Sequence, residues 1–432
     1  MPDTIREALD FIRDLGTPEE LEEEARRRSA PPGPRPHNTH IHLPPNFSAF
    51  DNLEQIADGA AREGLALLGA SNYYFYEIYG PFASLLFRRG IFPLFGLEVI
   101  ALLEDLQRQG LKINDHGNPG RMYLCGKGAR HLEPVPPEAG TLLETIRRND
   151  GDRMRRMTAR MEEIFRSAGI PTGLDDAAVK ERVRRRHGCP PGTVVLQERH
   201  VARAFQERFF DLIPPGLRAE RLRAILRADP SGDGTDPVRT QNDLRTHLMK
   251  AGKPAFVEEK FLGFEESLRL ILQLGAIPCY PVLADGARPV CPFEDPPERL
   301  AGALRERGLY CVEFIPVRNR PEVLERYVLT LRKAGFVVTA GTEHNTLDRI
   351  PLAPACAGGA PLPAGLPEIF WEGACVAVAH LFLGLHQRCG YVDAQGRLNE
   401  RYDSPDARIG ALSRLGAAVI ERCRRRNRSS PA

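Results

Sequence analysis

Two histidines one residue apart stand near the start of the chain, in Asn38-Thr39-His40-Ile41-His42. On an extended segment, residues two apart point to the same face, so both imidazoles can reach one point in space. Neutral imidazole is the commonest protein ligand for a divalent transition metal, and such an ion lowers the pKa of water toward about 7. A single His-x-His is a weak signal, so its meaning depends on what the neighbouring elements bring to the same place.

Those elements alternate. Strand-like apolar runs occupy 38–43, 65–71, 91–101, 121–126, 276–283, 309–315 and 336–341, with helical periodicity at 53–63, 264–274, 296–307 and 320–334. Short apolar strands separated by helices predict a parallel sheet covered by helices, and seven strands suit a closed or nearly closed barrel. Ahead of them, residues 3–28 carry a stripe of Ile5, Leu9, Ile12 and Leu15 that predicts one or two surface helices, ended by Pro31 to Pro36. Residues 140–255 interrupt the alternation with Arg/Glu-rich helical sequence between the fourth and fifth strands. Two further helices are expected at 367–388 and 405–425. The predicted organisation is a helical leader over 1–35, a barrel from 36–139 and 256–390, a helical insertion over 140–255 and a C-terminal helical extension over 391–432.

In α/β barrels functional groups collect at the C-terminal ends of strands. That end supplies His40 and His42 from the first strand, Asn72 from the second and Glu98 from the third. It supplies Tyr123 and Lys127 from the fourth, and Tyr280 and Asp285 from the fifth. The sixth gives Glu313 and Arg318, and the seventh Glu343, His344 and Asn345. Polar groups at every strand exit, several of metal-ligand type, are hard to explain as packing. Structural alternatives exist for each: a buried Glu98 paired with an arginine, a polar turn at 343–345, a lysine beside a glycine turn at 127, and an Arg318–Glu313 pair.

Bulk properties narrow the function. The 432 residues are 42% hydrophobic and 27% charged, with formal net charge +2. That balance carries no electrostatic footprint for nucleic acid or a membrane surface. No apolar run is read as reaching the roughly 18 residues needed to span a bilayer, and the polar start lacks a signal-peptide core. Nine cysteines without a Cys-x-x-Cys pair fit reduced thiols, so a cytoplasmic protein is expected.

Several of these segments together resemble the PHP (polymerase and histidinol phosphatase) superfamily of metal-dependent phosphoesterases. His40-Ile41-His42 resembles its first motif, Gly64 to Tyr73 its strand ending in Asp-His, Gly96-Leu97-Glu98 its Gly-x-Glu, Tyr280-Pro281 its His-Pro, and Gly341-Thr342-Glu343-His344 its closing Gly-Ser-Asp-x-His. Cys125-Gly126-Lys127-Gly128, Gln197-Glu198-Arg199-His200, Ala276 to Pro281 and Phe314 to Asn319 resemble a subgroup with a helical insertion. The likeness spans roughly residues 36–345. It implies a distorted (β/α)7 TIM-like barrel, with the helical insertion between strands 4 and 5, that binds up to three divalent ions around a phosphate. This chain departs from the pattern: Asn72 replaces a carboxylate, Tyr73 a histidine and Tyr280 the His of His-Pro, while Tyr123 stands near where a histidine is common. His40, His42, Glu98 and Glu343 remain and match the residues that hold one ion. The resemblance therefore implies about one Zn, Mn or Fe per chain, or two if His344 contributes.

The function so implied is metal-assisted hydrolysis of a small phosphorylated or carboxylated substrate. Tyr73, Tyr123, Tyr280, Lys127 and His344 are the catalytic candidates, as hydrogen-bond donors or acids toward the leaving group. Lys127, Arg318, Asn345, Arg199 and His200 are the substrate-binding candidates, with Arg318 offering a bidentate fork. Two other classes stay open: a lyase or isomerase using the ion as a Lewis acid, and a catalytically dead scaffold whose insertion binds a partner. Oligomeric state and substrate identity leave no mark in the sequence.

Overall fold

The computed structural model describes residues 2–27, 33–190, 192–347 and 349–428. Arg28 and the Pro31-Pro32 pair, expected to end the leader, lie outside the described residues. The leader forms α1 (Ile5–Arg13) and α2 (Pro18–Arg27). Thr4 caps α1 by accepting from the Glu7 amide, and Ile5, Leu9, Ile12 and Leu15 are buried.

The sheet is built from β1 (His37–Ile41), β2 (Leu67–Ala70), β3 (Phe92–Leu102), β4 (Arg121–Lys127), β5 (Leu262–Gly263), β6 (Ile277–Val282), β7 (Cys311–Phe314) and β8 (Val337–Ala340). Seven of them run in the order β1-β2-β3-β4-β6-β7-β8, and the two-residue β5 pairs only with β3. The ends of the sheet nearly meet. Ile41 bridges Glu343 in parallel, the His42 amide donates to the Glu343 carbonyl at 2.8 Å, and the Glu343 amide donates to the His40 carbonyl at 2.9 Å. The result is an α/β fold around a nearly closed, barrel-like sheet.

One expectation fails here. The sheet is not parallel throughout, because β4 runs antiparallel to both β3 and β6. The polypeptide turns straight back after β3, through the short α5 (Glu104–Arg108) and a loop, instead of crossing over the sheet. Arg121 therefore pairs with Leu102 at the mouth, whereas Lys127 pairs with Gly96 deep in the wall. Reading Lys127 as a strand exit at the mouth was wrong for this reason.

Helices α3 (Leu53–Arg62) and α4 (Tyr79–Arg88) cover the first strands. Between β4 and β5 come α6 (Pro137–Ser167), α7 (Asp176–His187), α8 (Glu198–Leu212), α9 (Arg218–Leu226) and α10 (Pro237–Leu244), which runs on into a π-helical turn over Arg245–Met249. Helix α6 serves two cores. Leu143 and Ile146 pack with the barrel, while Met154, Met157, Met161 and Phe165 pack with Phe205, Phe209 and Leu222 in a separate cluster. After β5, α11 (Phe264–Gln273), α12 (Pro297–Arg305) and α13 (Pro321–Lys333) pack outside the remaining strands.

The chain closes with α14 (Leu366–Leu385) and α15 (Pro405–Arg428). Contrary to the reading from sequence, α14 is long and apolar enough to cross a membrane by length and composition, with mean hydropathy 1.4 over an 18-residue window. In the fold 72% of that window is buried, between β8 and α15. The packing is close. A Cβ on Gly416 of α15 would lie 1.8 Å from the Cys375 carbonyl oxygen of α14, backbone that cannot move aside alone. Gly416→Ala should therefore cost about 1–3 kcal/mol of stability by forcing the two helices apart, read as a lower thermal midpoint. An unchanged midpoint would show that this helix pair is loosely held.

Candidate functional site

Strand β1 delivers His40, and the residue after Ile41 continues the alternation to His42. Both imidazoles are fully buried, edge to face, with ring centroids 5.1 Å apart. Glu98 of β3 reaches them from the second strand over. Its Oε2 lies 3.3 Å from His40 Nε2 and 3.8 Å from His42 Nε2. Among the described residues, His40 Nε2 and both ring nitrogens of His42 have no hydrogen-bond partner. Buried polar atoms are nearly always satisfied, so two unpartnered Nε2 atoms facing one carboxylate require explanation.

The other side of His40 is fully engaged. Its Nδ1 donates to Glu313 Oε2 at 2.6 Å. Glu313 Oε1 accepts from Thr39 Oγ1 at 2.7 Å and from Lys127 Nζ at 2.6 Å, and Lys127 also donates to the Thr39 carbonyl at 3.1 Å. All of these groups are buried. Burial opposes the charged carboxylate, yet Lys127 and then His40 hold Glu313 down at about 2. Burial likewise opposes protonation of His40, but Glu313 raises its pKa well above the usual value. His42 has no such partner, and desolvation dominates its balance and lowers it to about 4. With Nδ1–H committed to Glu313, His40 points Nε2 at the carboxylate of Glu98, and a cation that displaces the Nε2 proton would take that lone pair and the carboxylate together. His40, Cys125 and Glu313 form a second group at ligand distances, but Lys127 already neutralises its carboxylate and burial pushes the Cys125 thiol up to about 11.

The loop after β8 carries Glu343, which is near the imidazoles but held elsewhere. Arg318 forks its carboxylate, with Nη1 at 2.9 Å from Oε1 and Nη2 on Oε2, and Asn345 Nδ2 donates to Oε2 at 2.6 Å. So Arg318 does have an acidic partner, and it is Glu343, not Glu313. Glu343 and His344 both adopt positive φ, +59° and +50°, which costs non-glycine residues roughly 1–3 kcal/mol each. Backbone bonds from His42 and Ala49 hold this pair in place.

Several candidates from sequence fall away. His344 spends Nδ1 on Thr342 Oγ1 at 2.7 Å and Nε2 on the Ile350 carbonyl at 3.0 Å, stacked on Phe50, so it has no nitrogen left for an ion or a proton transfer. Tyr280 alternates away from the face carrying Cys279, and its hydroxyl donates to Glu294 at 2.9 Å behind the strand. His200 accepts from the Gln197 amide at 3.0 Å and caps α8, packed on Phe47, which removes it from the substrate candidates. Lys127 is buried and spent on Glu313, which excludes both roles given to it.

Tyr73, Tyr123, Arg199 and Asn345 do come together, lining a cavity of about 560 Å³ between the barrel mouth and the helices of 140–255. Tyr73 stacks on His42 at 5.1 Å between ring centroids and 14° between planes, forming the floor. Burial and the neighbouring Glu98 raise its hydroxyl pKa well above the usual value, and burial with Asp115 does the same at Tyr123. Of the far wall only Glu198 stood out in the sequence: Arg121, Arg153, Arg245, Lys250, Glu198 and Glu259 form one ion-pair chain, and burial beside Glu259 raises Asp150 to about 7. Nothing in an Arg/Glu-rich helix marks which members face a cavity.

No family model matches the chain, and no curated protein matches it in sequence. Among solved structures it is similar to a protein of Bifidobacterium adolescentis assigned as a metal-dependent phosphoesterase, with TM-score 0.52, 16% identity, and 79% of this chain and 96% of that one covered. It is also similar to an amidohydrolase from Chromobacterium violaceum with bound sulfate and no metal, with TM-score 0.50, 17% identity, and 77% and 95% covered. At this identity the likeness establishes the fold.

The buried charge cluster sets a clear expectation. Lys127→Met leaves Glu313 without its counter-charge and should cost about 3–5 kcal/mol, while Lys127→Met/Glu313→Gln should recover much of it. Glu313 titrates near 2 when folded against an ordinary value of 4.5. Its contribution is therefore complete above pH 4.5 and lost as pH falls toward 2. Denaturant titrations across that window should show the acid-side loss in the native protein and a much weaker one in the double variant. Equal slopes would remove Glu313 as its source.

Proposed function

We propose that this chain is a divalent-metal-dependent hydrolase acting on a small anionic substrate, on a (β/α)7-type barrel of the polymerase and histidinol phosphatase kind with helices of 140–255 inserted between the fourth and fifth barrel strands. The observation that carries the reading is the pair of unpartnered Nε2 atoms of His40 and His42 facing Glu98. Two buried imidazoles and a buried carboxylate converging on one another are the donor set that Zn, Mn or Fe takes, and Glu313, bonded to His40, is the outer carboxylate that fixes a ligating ring. Glu343, close enough to both imidazoles to feel their charge, is the fourth ligand candidate, shared with Arg318. A bound ion would lower the pKa of water and polarise a phosphoryl or carbonyl oxygen.

The chain's own residues supply the rest. Tyr73 and Tyr123 remain protonated at neutral pH, so both can donate a hydrogen bond to the substrate, and Tyr73, beside Glu98, is the better placed to protonate a leaving group. Arg199 and Asn345 face the cavity and hold the substrate. All nine cysteines are free, which supports a reducing compartment such as the cytoplasm.

Elemental analysis of protein purified without chelators should find close to one transition-metal ion per chain, and His42→Ala should lose it. Turnover of a phosphate monoester such as p-nitrophenyl phosphate should then depend on the added ion and fall at least about a hundredfold in Tyr73→Phe if that hydroxyl acts as the acid. A chain that takes up no ion after reconstitution with Zn, Mn or Fe refutes the reading.

A further inference from the structure

The cavity wall carries more positive charge than its carboxylates neutralise. Glu198 serves both Arg245 and Lys250, each at 2.8 Å, and also approaches Arg153 at 3.8 Å, which Glu259 pairs at 2.7 Å. Arg199 is different again. Among the described residues it has no ion pair and no hydrogen bond to protein, only the ring of Phe47 at 5.8 Å. It is nevertheless largely enclosed, and after burial the charge that most disfavours its protonated form is Arg245. Two guanidiniums thus line one cavity, Arg245 paired to Glu198 and Arg199 with no acid at bonding distance. Such an arrangement is unfavourable in the empty protein and becomes favourable when an anion sits between the forks.

The backbone shows how the pair is brought together. Arg199 lies in the first turn of α8, whose preceding residue Gln197 accepts from the Phe47 amide at 2.6 Å, tying the helix to the loop after β1. Arg245 opens the π-helical turn Arg245–Met249, which also turns Met249 and Lys250 into the cavity. Insertions of this kind cost helical hydrogen-bond geometry and recur at functional sites. Neither guanidinium is bonded to His40, His42 or Glu98.

We propose that Arg199 and Arg245 form a clamp for one oxyanion of the substrate, a phosphoryl or carboxylate handle that anchors the molecule from the helical layer while another group faces the imidazoles. The assignment rests on reading the cavity as the substrate site. It makes the inserted helices a source of binding energy and specificity, and it places the recognising arginine on α8 and the π turn, away from the strand exits.

The probes are inorganic phosphate and acetate, titrated by calorimetry at constant ionic strength into chelator-treated protein and into protein reloaded with Mn. Phosphate or acetate should bind in both forms, and Arg199→Gln and Arg245→Gln should each weaken it at least about tenfold. Arg199→Lys should recover part of the loss, and Arg239→Gln, a surface control in the same layer, should change nothing. Tighter phosphate identifies a phosphoryl handle and tighter acetate a carboxylate; either supports the clamp. His42→Ala should lose the ion yet keep the anion, which separates this proposal from the metal reading. Anion affinity unchanged in both arginine variants, absent from the native protein, or lost together with the ion in His42→Ala would overturn it.

Discussion

The arrangement of this barrel turns on one carboxylate. Glu313 is completely buried and bonds Thr39 and His40 of β1 and Lys127 of β4 from its place on β7. Three strands that are not neighbours in the sheet are thereby tied across its interior. Taking such a pair out of water costs several kcal/mol per ion, so Glu313 and Lys127 are a poor way to gain stability alone. What they provide is direction. With every oxygen of Glu313 committed, the His40 ring has one permitted orientation, and that orientation aims Nε2 at Glu98.

The antiparallel β4 is what makes this possible. Were β4 parallel, Lys127 would emerge at the mouth among substrate groups, as its place at the end of an apolar run suggested. Reversed, the strand delivers Lys127 to the depth of Glu313 and presents Arg121 and Tyr123 at the mouth instead. An alternating pattern reads identically in both directions, which is why the seven strands and most of their covering helices, though not α4, were legible in the sequence while the sense of the fourth strand was not. The same limit applies to Tyr280. Its place in a strand was plain, but its side followed only from the pairing of Cys279 with Cys125 and Cys311.

Legibility of the site divides along similar lines. His40, His42 and Glu98 could be found because spacing and strand position restrict where such side chains can go. His344 could not be judged, since its neighbour Thr342 and the distant Ile350 carbonyl consume its nitrogens. Arg318, expected to hold a substrate anion, forks Glu343, and that partner depended on the left-handed turn at Glu343-His344, a conformation that no residue type there announces. Gly341 offers the one hint: a Cβ at that position would lie 2.3 Å from the Cβ of His40, so the chain must pass against the histidine before turning.

The two layers of the molecule then differ in what they can change. Around His40 each bond depends on another, and altering Lys127, Glu313 or Gly341 disturbs the ring that must point at Glu98. The cavity wall above is held by ion pairs in which Glu198 and Glu259 each serve more than one cation, so losing one partner leaves the others engaged. Substitutions there can reshape the cavity without disturbing the histidine pair beneath it. A rigid, over-determined floor lies under a redundant, charged ceiling, so the cavity lining can change while His40, His42 and Glu98 stay fixed.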